Sequence, residues 1–223
     1  MINRAGLRIL DCPRPKWELV EAFRGLPSSN IGDNMGRLYN TNSSLRALNG
    51  LSLCGPAFTV KVPQGDNLMF HKALDLAHPG DIIVVDGEGD MEHALAGELM
   101  IRHAIRRKLG GFVINGCMRD LDAIESLPFP VYAKGITPQG PYKNGPGEIN
   151  VPVCCGGRVI CPGDILVGDR DGIVIVPVEF AADLLSKAKK KFEGEQKRIM
   201  EDEPGNREWV DRAVEAAEKG VMS

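Results

Sequence analysis

Asp81–Asp120, DIIVVDGEGDMEHALAGELMIRHAIRRKLGGFVINGCMRD, reads as strand, loop, helix, strand and charged elbow, and the rest of the chain is arranged about it. Ile82–Val85 is an aliphatic run suited to a strand buried on both faces. Asp86-Gly87-Glu88-Gly89-Asp90 then predicts a loop, because glycine admits backbone angles that other residues avoid. From about Glu98, the positions Leu99, Ile101, Ala104, Ile105 and Leu109 recur at mixed helical spacings, with Arg102, Arg106, Arg107 and Lys108 between them, until Gly110-Gly111 ends the helix. The basic end suits the negative pole of the helix dipole. Phe112-Val113-Ile114 gives a second buried strand, and Asn115-Gly116-Cys117-Met118 predicts a turn that leaves Arg119 and Asp120 beyond it.

In a parallel β-α-β unit, strand C-termini and helix N-termini meet on one side, where free backbone N–H groups and the helix dipole attract anions. The amides of Gly97, Glu98, Leu99 and Met100 are therefore placed to hold a carboxylate. Arg119 adds a planar, permanent cation, and Asp120 a hard oxygen ligand for a divalent ion. Adjacent opposite charges after a strand can equally cap the next helix and pair with neighbours, and spacing alone leaves both readings open.

With 223 residues, 43% of them hydrophobic and 26% charged, the chain can bury a full core as one globular unit with appendages. A net charge of -3 and a pI near 5.9 argue against a protein built to neutralise nucleic-acid phosphates. No apolar run approaches a membrane span and the N-terminus lacks the apolar core of a secretory signal, so a soluble cytoplasmic protein is expected. The six cysteines form no Cys-x-x-Cys pair, which argues against structural zinc. Cys54 and Cys161 read as small buried apolar residues, and Cys117, two residues before Arg119, as a lining residue of the same pocket.

Outward from the centre, a helix is expected over Trp17–Phe23. A second follows the break Leu26-Pro27-Ser28-Ser29-Asn30, with Asp33 and Asn34 near its start. Leu51–Cys54 and Ala57–Val62 read as two strands split by Gly55-Pro56, and Asp66-Asn67 as the cap of a helix over Leu68–Leu76. Beyond Asp120 come a short helix over Leu121–Ser126, a strand over Val131–Ala133 and a loop over Gly135–Gly147. Short strands run from Ile149 to Val176, with Asp169-Arg170-Asp171-Gly172 as a hairpin turn. A long charged helix over Val178–Met200, a break at Pro204-Gly205 and a last helix over Arg207–Glu218 complete the chain. Gly87-Glu88-Gly89 opens like a dinucleotide fingerprint, but Glu92 stands where the third glycine is needed. His71, His78, His93 and His103 share no ligand spacing and are expected outside any site.

The passages GDNLMFHKALDLAHPGDIIVVDGEGD, AGELMIRHAIRRKLGGFVINGCMRD and GDILVGDRDGIVIVP closely resemble the family that contains the regulator of ribonuclease activity A and the 4-hydroxy-4-methyl-2-oxoglutarate aldolases. The resemblance covers roughly residues 31–177. It implies an α/β fold, a swivelling β/β/α domain over residues 1–177 with a C-terminal helical extension over residues 178–223, assembled as a trimer or a dimer of trimers. It further implies that Gly97, Glu98, Leu99 and Met100 bind a pyruvate carboxylate, that Arg119 contacts the keto oxygen and that Asp120 holds Mg²⁺ or Mn²⁺. Glu98 would orient Arg119 and a water, and Glu195 would enter a neighbouring subunit's site. The implied activity is metal-dependent cleavage of a 2-oxo acid to pyruvate, with oxaloacetate decarboxylation beside it. The alternative within the resemblance is a non-catalytic regulator of a ribonuclease acting by protein–protein binding. A quinone methyltransferase, sometimes ascribed to such sequences, is disfavoured for want of a glycine-rich cofactor loop.

Overall fold

A computed structural model of the chain describes residues 2–202, 205 and 207–219. Two short strands, β1 (Ile2–Arg4) and β2 (Leu7–Ile9), precede α1 (Trp17–Glu21), α2 (Ser28–Asp33) and the two-residue β3 (Arg46–Ala47). The central run is β4 (Leu53–Lys61), α3 (Leu68–Leu76), β5 (Ile82–Ala96), α4 (Glu98–Arg106), β6 (Gly111–Met118), α5 (Leu121–Ser126) and β7 (Val131–Ile136). It is followed by β8 (Gly147–Ile149), β9 (Val153–Cys155), β10 (Arg158–Ile160), β11 (Ile165–Asp169) and β12 (Gly172–Val176). A 3₁₀ turn over Val178–Phe180 then leads into α6 (Ala181–Met200) and α7 (Glu208–Glu218). The expected break at Pro204 lies outside the described residues.

Strands β4, β5, β6 and β7 lie side by side and parallel, so each helix between them is a crossover. Side chains alternate across a strand, and in β5 Ile83 and Val85 face the helices while Ile82 and Val84 face the other way. The first pair packs with Phe70 and Ala73 of α3, Ile101 and Ala104 of α4 and Ile124 of α5. The second packs with Val153 and Cys155 of β9, Ile160 of β10 and Leu166 of β11. Both faces of the strand are covered, which is why the run has no polar alternation. The parallel part of the mixed ten-stranded sheet thus sits between a helical layer and a second layer made of β9, β10 and the sheet's own β11 and β12.

A third cluster joins Val20, Phe23 and Ile31 to β11 and β12 and to Ala181, Leu184 and Ala188 of α6. The first half of α6 therefore packs on its own chain, whereas Ile199 and Met200 at its end are 71% and 82% exposed.

Several expectations change. Gly55-Pro56 does not divide two strands: β4 runs through it and changes partner, pairing with β11 over Leu53–Pro56 and with β5 from Ala57 to Lys61. The glycine tolerates a close approach, since a Cβ on Gly55 would fall within 3.2 Å of the Ile82 side chain and closer still to the Gly80 carbonyl. Asp86–Asp90 is not a loop but an irregular part of β5. Its register against β6 jumps between Asp86 and Asp90 while Glu88 and Gly89 take positive φ of 58° and 73°. Asn115–Met118 likewise continues β6 instead of turning, β7 extends to Ile136, and Asp33 and Asn34 end α2 instead of starting it. Cys161 is exposed, unlike the buried Cys54.

The turn before β11 buries an acid. Asp164, 8% exposed, accepts the Cys161 N–H at 2.8 Å; burial, reinforced by Glu179, pushes its pKa up to about 6 from 3.8. The folded state therefore binds a proton between those values that the unfolded chain has released, so the group costs stability above pH 6 and none below about pH 4. Asp164→Asn is expected to raise the unfolding free energy at pH 8 by about 2 kcal/mol, with the gain vanishing towards pH 4. Denaturant unfolding of both proteins across that range checks this, and a pH-independent difference refutes it.

Candidate active site

The parallel topology brings the ends of β5 and β6 together: Ala96 pairs with Met118, and the Arg119 N–H donates to the Ala96 carbonyl at 3.0 Å. The next residue, Asp120, takes the left-handed conformation, with φ 65° and ψ 49°. A non-glycine residue there costs on the order of 1–2 kcal/mol, and the turn aims its carboxylate back across the strand end. Asp120 Oδ2 accepts the Glu98 N–H at 2.9 Å. The acid thus caps the N-terminus of α4, and its side chain makes no capping bond to α5, the helix it precedes.

Gly97 is required by space, not by backbone angle, since its φ of -152° is ordinary extended backbone. A Cβ there would lie 2.8 Å from Arg119 Cγ and overlap Asp120 Oδ2. Within the tetrad, the Glu98 amide goes to Asp120 and the Met100 amide to the Gly97 carbonyl at 3.2 Å. The Gly97 and Leu99 amides have no acceptor among the described residues and remain for a ligand.

Arg119 and Asp120 are half-exposed, with Arg119 Nε 3.8 Å from Asp120 Oδ2. A Cβ on Gly140 would come within 3.2 Å of Arg119 Nη1, so that glycine leaves room for the guanidinium. Glu98 does not orient Arg119 here: its Oε1 accepts from Arg102 Nε at 2.6 Å, one turn along α4. Glu195 lies elsewhere on the chain, accepting from Asn30 Nδ2 of α2 at 2.5 Å and standing 3.5 Å from Lys191. Cys117 does not line the pocket. It is fully buried against the carbonyl and sulfur of Met91, each at 3.7 Å, and burial raises its thiol pKa.

A cavity of about 350 Å³ collects the tetrad, Arg119 and Asp120 with Ala96, Pro141 and Lys143, with Asn67, expected only as a helix cap, and with His71, expected outside any site and found in its lining. Asn67 and His71 stand one helical turn apart at the start of α3, the only sequence signal they offered. Asn67 is 2% exposed and donates from Nδ2 to the Leu95 carbonyl at 2.7 Å, bracing the end of β5. Burial, then Lys143 and His103, hold His71 below the usual imidazole value against the opposing pull of Asp75. A larger cleft of about 710 Å³ opens beside β3 among Arg46, Asn49, Glu125, Arg170 and Asp171 and shares no lining residue with this cavity.

Among the described residues no three His, Cys, Asp or Glu side chains gather as a metal cage. Asp120 instead offers a single carboxylate, one oxygen fixed by the Glu98 amide and the other without a partner among the described residues. That donor set fits Mg²⁺ or Mn²⁺, which take one or two carboxylates and complete their shell with water and substrate oxygens.

Residues 28–175, more than half of the chain, match the family described as RraA-like: Aldolase/RraA, and the chain belongs to that family. Among individual relatives, it is 41% identical over 182 residues to a Halalkalibacterium halodurans protein named "Putative 4-hydroxy-4-methyl-2-oxoglutarate aldolase", covering 81% of this chain and 87% of that one. The Streptomyces coelicolor RraAS2 structure, described as an unusual member of the RNase ES inhibitor RraA family, superposes with a TM-score of 0.75 at 28% identity, over 85% of this chain and all of that one. A Geobacillus kaustophilus structure described as an S-adenosylmethionine:2-dimethylmenaquinone methyltransferase superposes with a TM-score of 0.63 at 32% identity, over 67% and 94% of the two chains.

The crowding at Gly97 has a measurable cost. Gly97→Ala is expected to destabilise the fold by about 1–3 kcal/mol through overpacking on Arg119 and Asp120. Leu99→Ala, at a side chain 80% exposed, is expected to stay within about 0.5 kcal/mol of the parent. Denaturant midpoints decide between this and an equal tolerance at both positions.

Proposed function

We propose that the protein is a divalent-metal-dependent, pyruvate-forming lyase that cleaves 4-hydroxy-4-methyl-2-oxoglutarate or a related 2-oxo acid and also decarboxylates oxaloacetate. The observation that carries this reading is the convergence of Arg119, Asp120 and the free Gly97 and Leu99 amides on one cavity. The two amides suit a substrate carboxylate, and the Arg119 guanidinium suits the keto oxygen beside it. Cleavage breaks the carbon–carbon bond β to the keto group: Glu195 of a neighbouring subunit takes the substrate's hydroxyl proton, that oxygen becomes the carbonyl of the departing fragment, and the bond's electron pair passes to the C2 oxygen. This leaves a pyruvate enolate that takes a proton at C3. From oxaloacetate the fragment lost is CO2 and no hydroxyl proton is removed. Arg119 stabilises the charge that develops on that oxygen, an interaction stronger in the transition state than in the ground state. When bound at Asp120, Mg²⁺ or Mn²⁺ would supply further positive charge at the same oxygen. Glu98, with one carboxylate oxygen on Arg102, keeps the other for the water that returns the proton.

In this reading residues 1–177 form a swivelling β/β/α aldolase-like unit and residues 178–223 an extension, in a trimer or dimer of trimers where Glu195 of one subunit serves a neighbour's cavity. Support for a shared site comes from the absence of Glu195 from its own chain's cavity lining and from the exposed end of α6. A non-catalytic regulator of a ribonuclease is the second reading, favoured by the description of the Streptomyces relative, and it expects no pyruvate release. The methyltransferase description of the Geobacillus structure finds no support in a glycine-rich cofactor loop, since Gly87 and Gly89 lie inside β5.

Pyruvate release from oxaloacetate, with and without Mg²⁺, tests the proposal directly. Arg119→Lys keeps the charge but loses the planar fork, and kcat is expected to fall on the order of a hundredfold. A defect confined to KM would show that Arg119 acts on the ground state alone. Asp120→Asn should lose metal-dependent turnover while remaining folded. Mixed with Glu195→Gln subunits, it should regain part of the aldol activity through hybrid sites. Full turnover of Asp120→Asn at limiting Mg²⁺ sinks the metal assignment, and no regain in mixtures confirmed to have exchanged subunits sinks the shared site.

A further inference from the structure

One buried carboxylate joins two walls of the cavity. Asp66 is 4% exposed; its Oδ1 accepts the Leu68 N–H at 2.9 Å, at the start of α3, which brings His71 to the cavity just beyond Asn67. Its Oδ2 accepts the N–H groups of Asn144 at 2.6 Å and Gly145 at 2.9 Å, at the end of the strap of residues 137–145 that carries Pro141 and Lys143. Backbone bonds run alongside, from Tyr142 N–H to the Gly65 carbonyl at 2.7 Å and from Asn67 N–H to the Tyr142 carbonyl at 3.0 Å. Asp66 forms no ion pair among the described residues, so its charge is met by three peptide dipoles. Charge-assisted bonds of this kind are stronger than those between neutral groups.

The strap is tied at its other end too. Thr137 donates its N–H to the Met118 carbonyl at 3.0 Å, and the Gln139 carbonyl accepts the Ala94 N–H at 2.8 Å. Between the two anchors Lys143 is exposed and forms no ion pair among the described residues, while its charge is felt by His71. A flexible ammonium with no internal partner is placed by the backbone that carries it.

We propose that Asp66 is a positioning residue: by clamping the strap to α3 it fixes Lys143 at the cavity, where the ammonium meets a substrate carboxylate. This rests on the reading of the cavity as a 2-oxo acid site and adds to it a second cation, separate from Arg119, whose place depends on an acid that touches no substrate. Three variants separate the roles. Asp66→Ser retains a hydroxyl that can accept the Leu68 N–H and is too short to span to Asn144 and Gly145. Lys143→Met removes the ammonium, and the double variant closes the cycle. Asp66→Asn replaces Asp66→Ser if the latter does not fold.

Hydrogen exchange should show the Asn144 and Gly145 amides accelerated about tenfold or more in Asp66→Ser while the α3 amides stay protected. Calorimetry with Mg²⁺ and oxalate, a planar dianion shaped like the pyruvate enolate, should show about tenfold weaker binding. KM for oxaloacetate should rise about as much, with kcat within about twofold. In the Lys143→Met background, Asp66→Ser should weaken oxalate no further. Equal weakening in both backgrounds, unchanged oxalate affinity in Asp66→Ser, or a kcat defect without a KM defect overturns the proposal. If the parent binds oxalate and the cycle is non-additive but no pyruvate is released from any substrate, the lyase reading fails and the positioning role stands. If the parent binds no oxalate, both fail.

Discussion

The bond from the Glu98 amide to Asp120 is the constraint on which the site depends. It forms between two crossover turns, so it exists only if β5 and β6 lie parallel, in register through Ala96 and Met118, and end together. The helix dipole of α4 favours the carboxylate at that position, and the carboxylate in turn satisfies a backbone donor that would otherwise be unpaired. Asp120 therefore holds a strained left-handed conformation for a reason visible in the structure, and its second oxygen accepts no hydrogen bond among the described residues. Structural capping and chemical availability are divided between the two oxygens of one side chain.

This division answers the ambiguity in the sequence. Arg119-Asp120 could be read as a helix cap or as chemistry, and in the fold Asp120 is both, but the helix it caps is the preceding crossover helix, twenty-two residues back at Glu98. No local spacing rule reaches that distance. The parallel unit itself was legible, because Ile82–Val85 and Phe112–Ile114 carry apolar residues on consecutive positions and Gly110-Gly111 punctuates the helix between them.

What stayed hidden depended on partners. Gly87 and Gly89 read as loop residues because glycine and strands are rarely joined, yet in β5 they serve irregular pairing. Gly55-Pro56 read as a break because proline lacks a ladder donor, while the fold uses that point to hand β4 from one neighbour to another. Asn67 and His71 sit at the start of α3 and Lys143 on a strap tied to it through Asp66 and Tyr142, so their convergence is a tertiary fact. Glu195 was nameable only by resemblance, and its own chain occupies it with Asn30 and Lys191.

The handover along β4 also bears on how the molecule comes apart. Leu53–Pro56 is stitched to β11 and Ala57–Lys61 to β5, so one continuous backbone segment is structural in both the helix-covered sheet and the antiparallel lobe. Peeling β11 away would leave the first half of β4 with unpaired carbonyls and amides in a buried setting, and the strain would pass along a strand too stiff to hinge. The two lobes therefore share one strand, and neither can be detached without opening the ladder of the other.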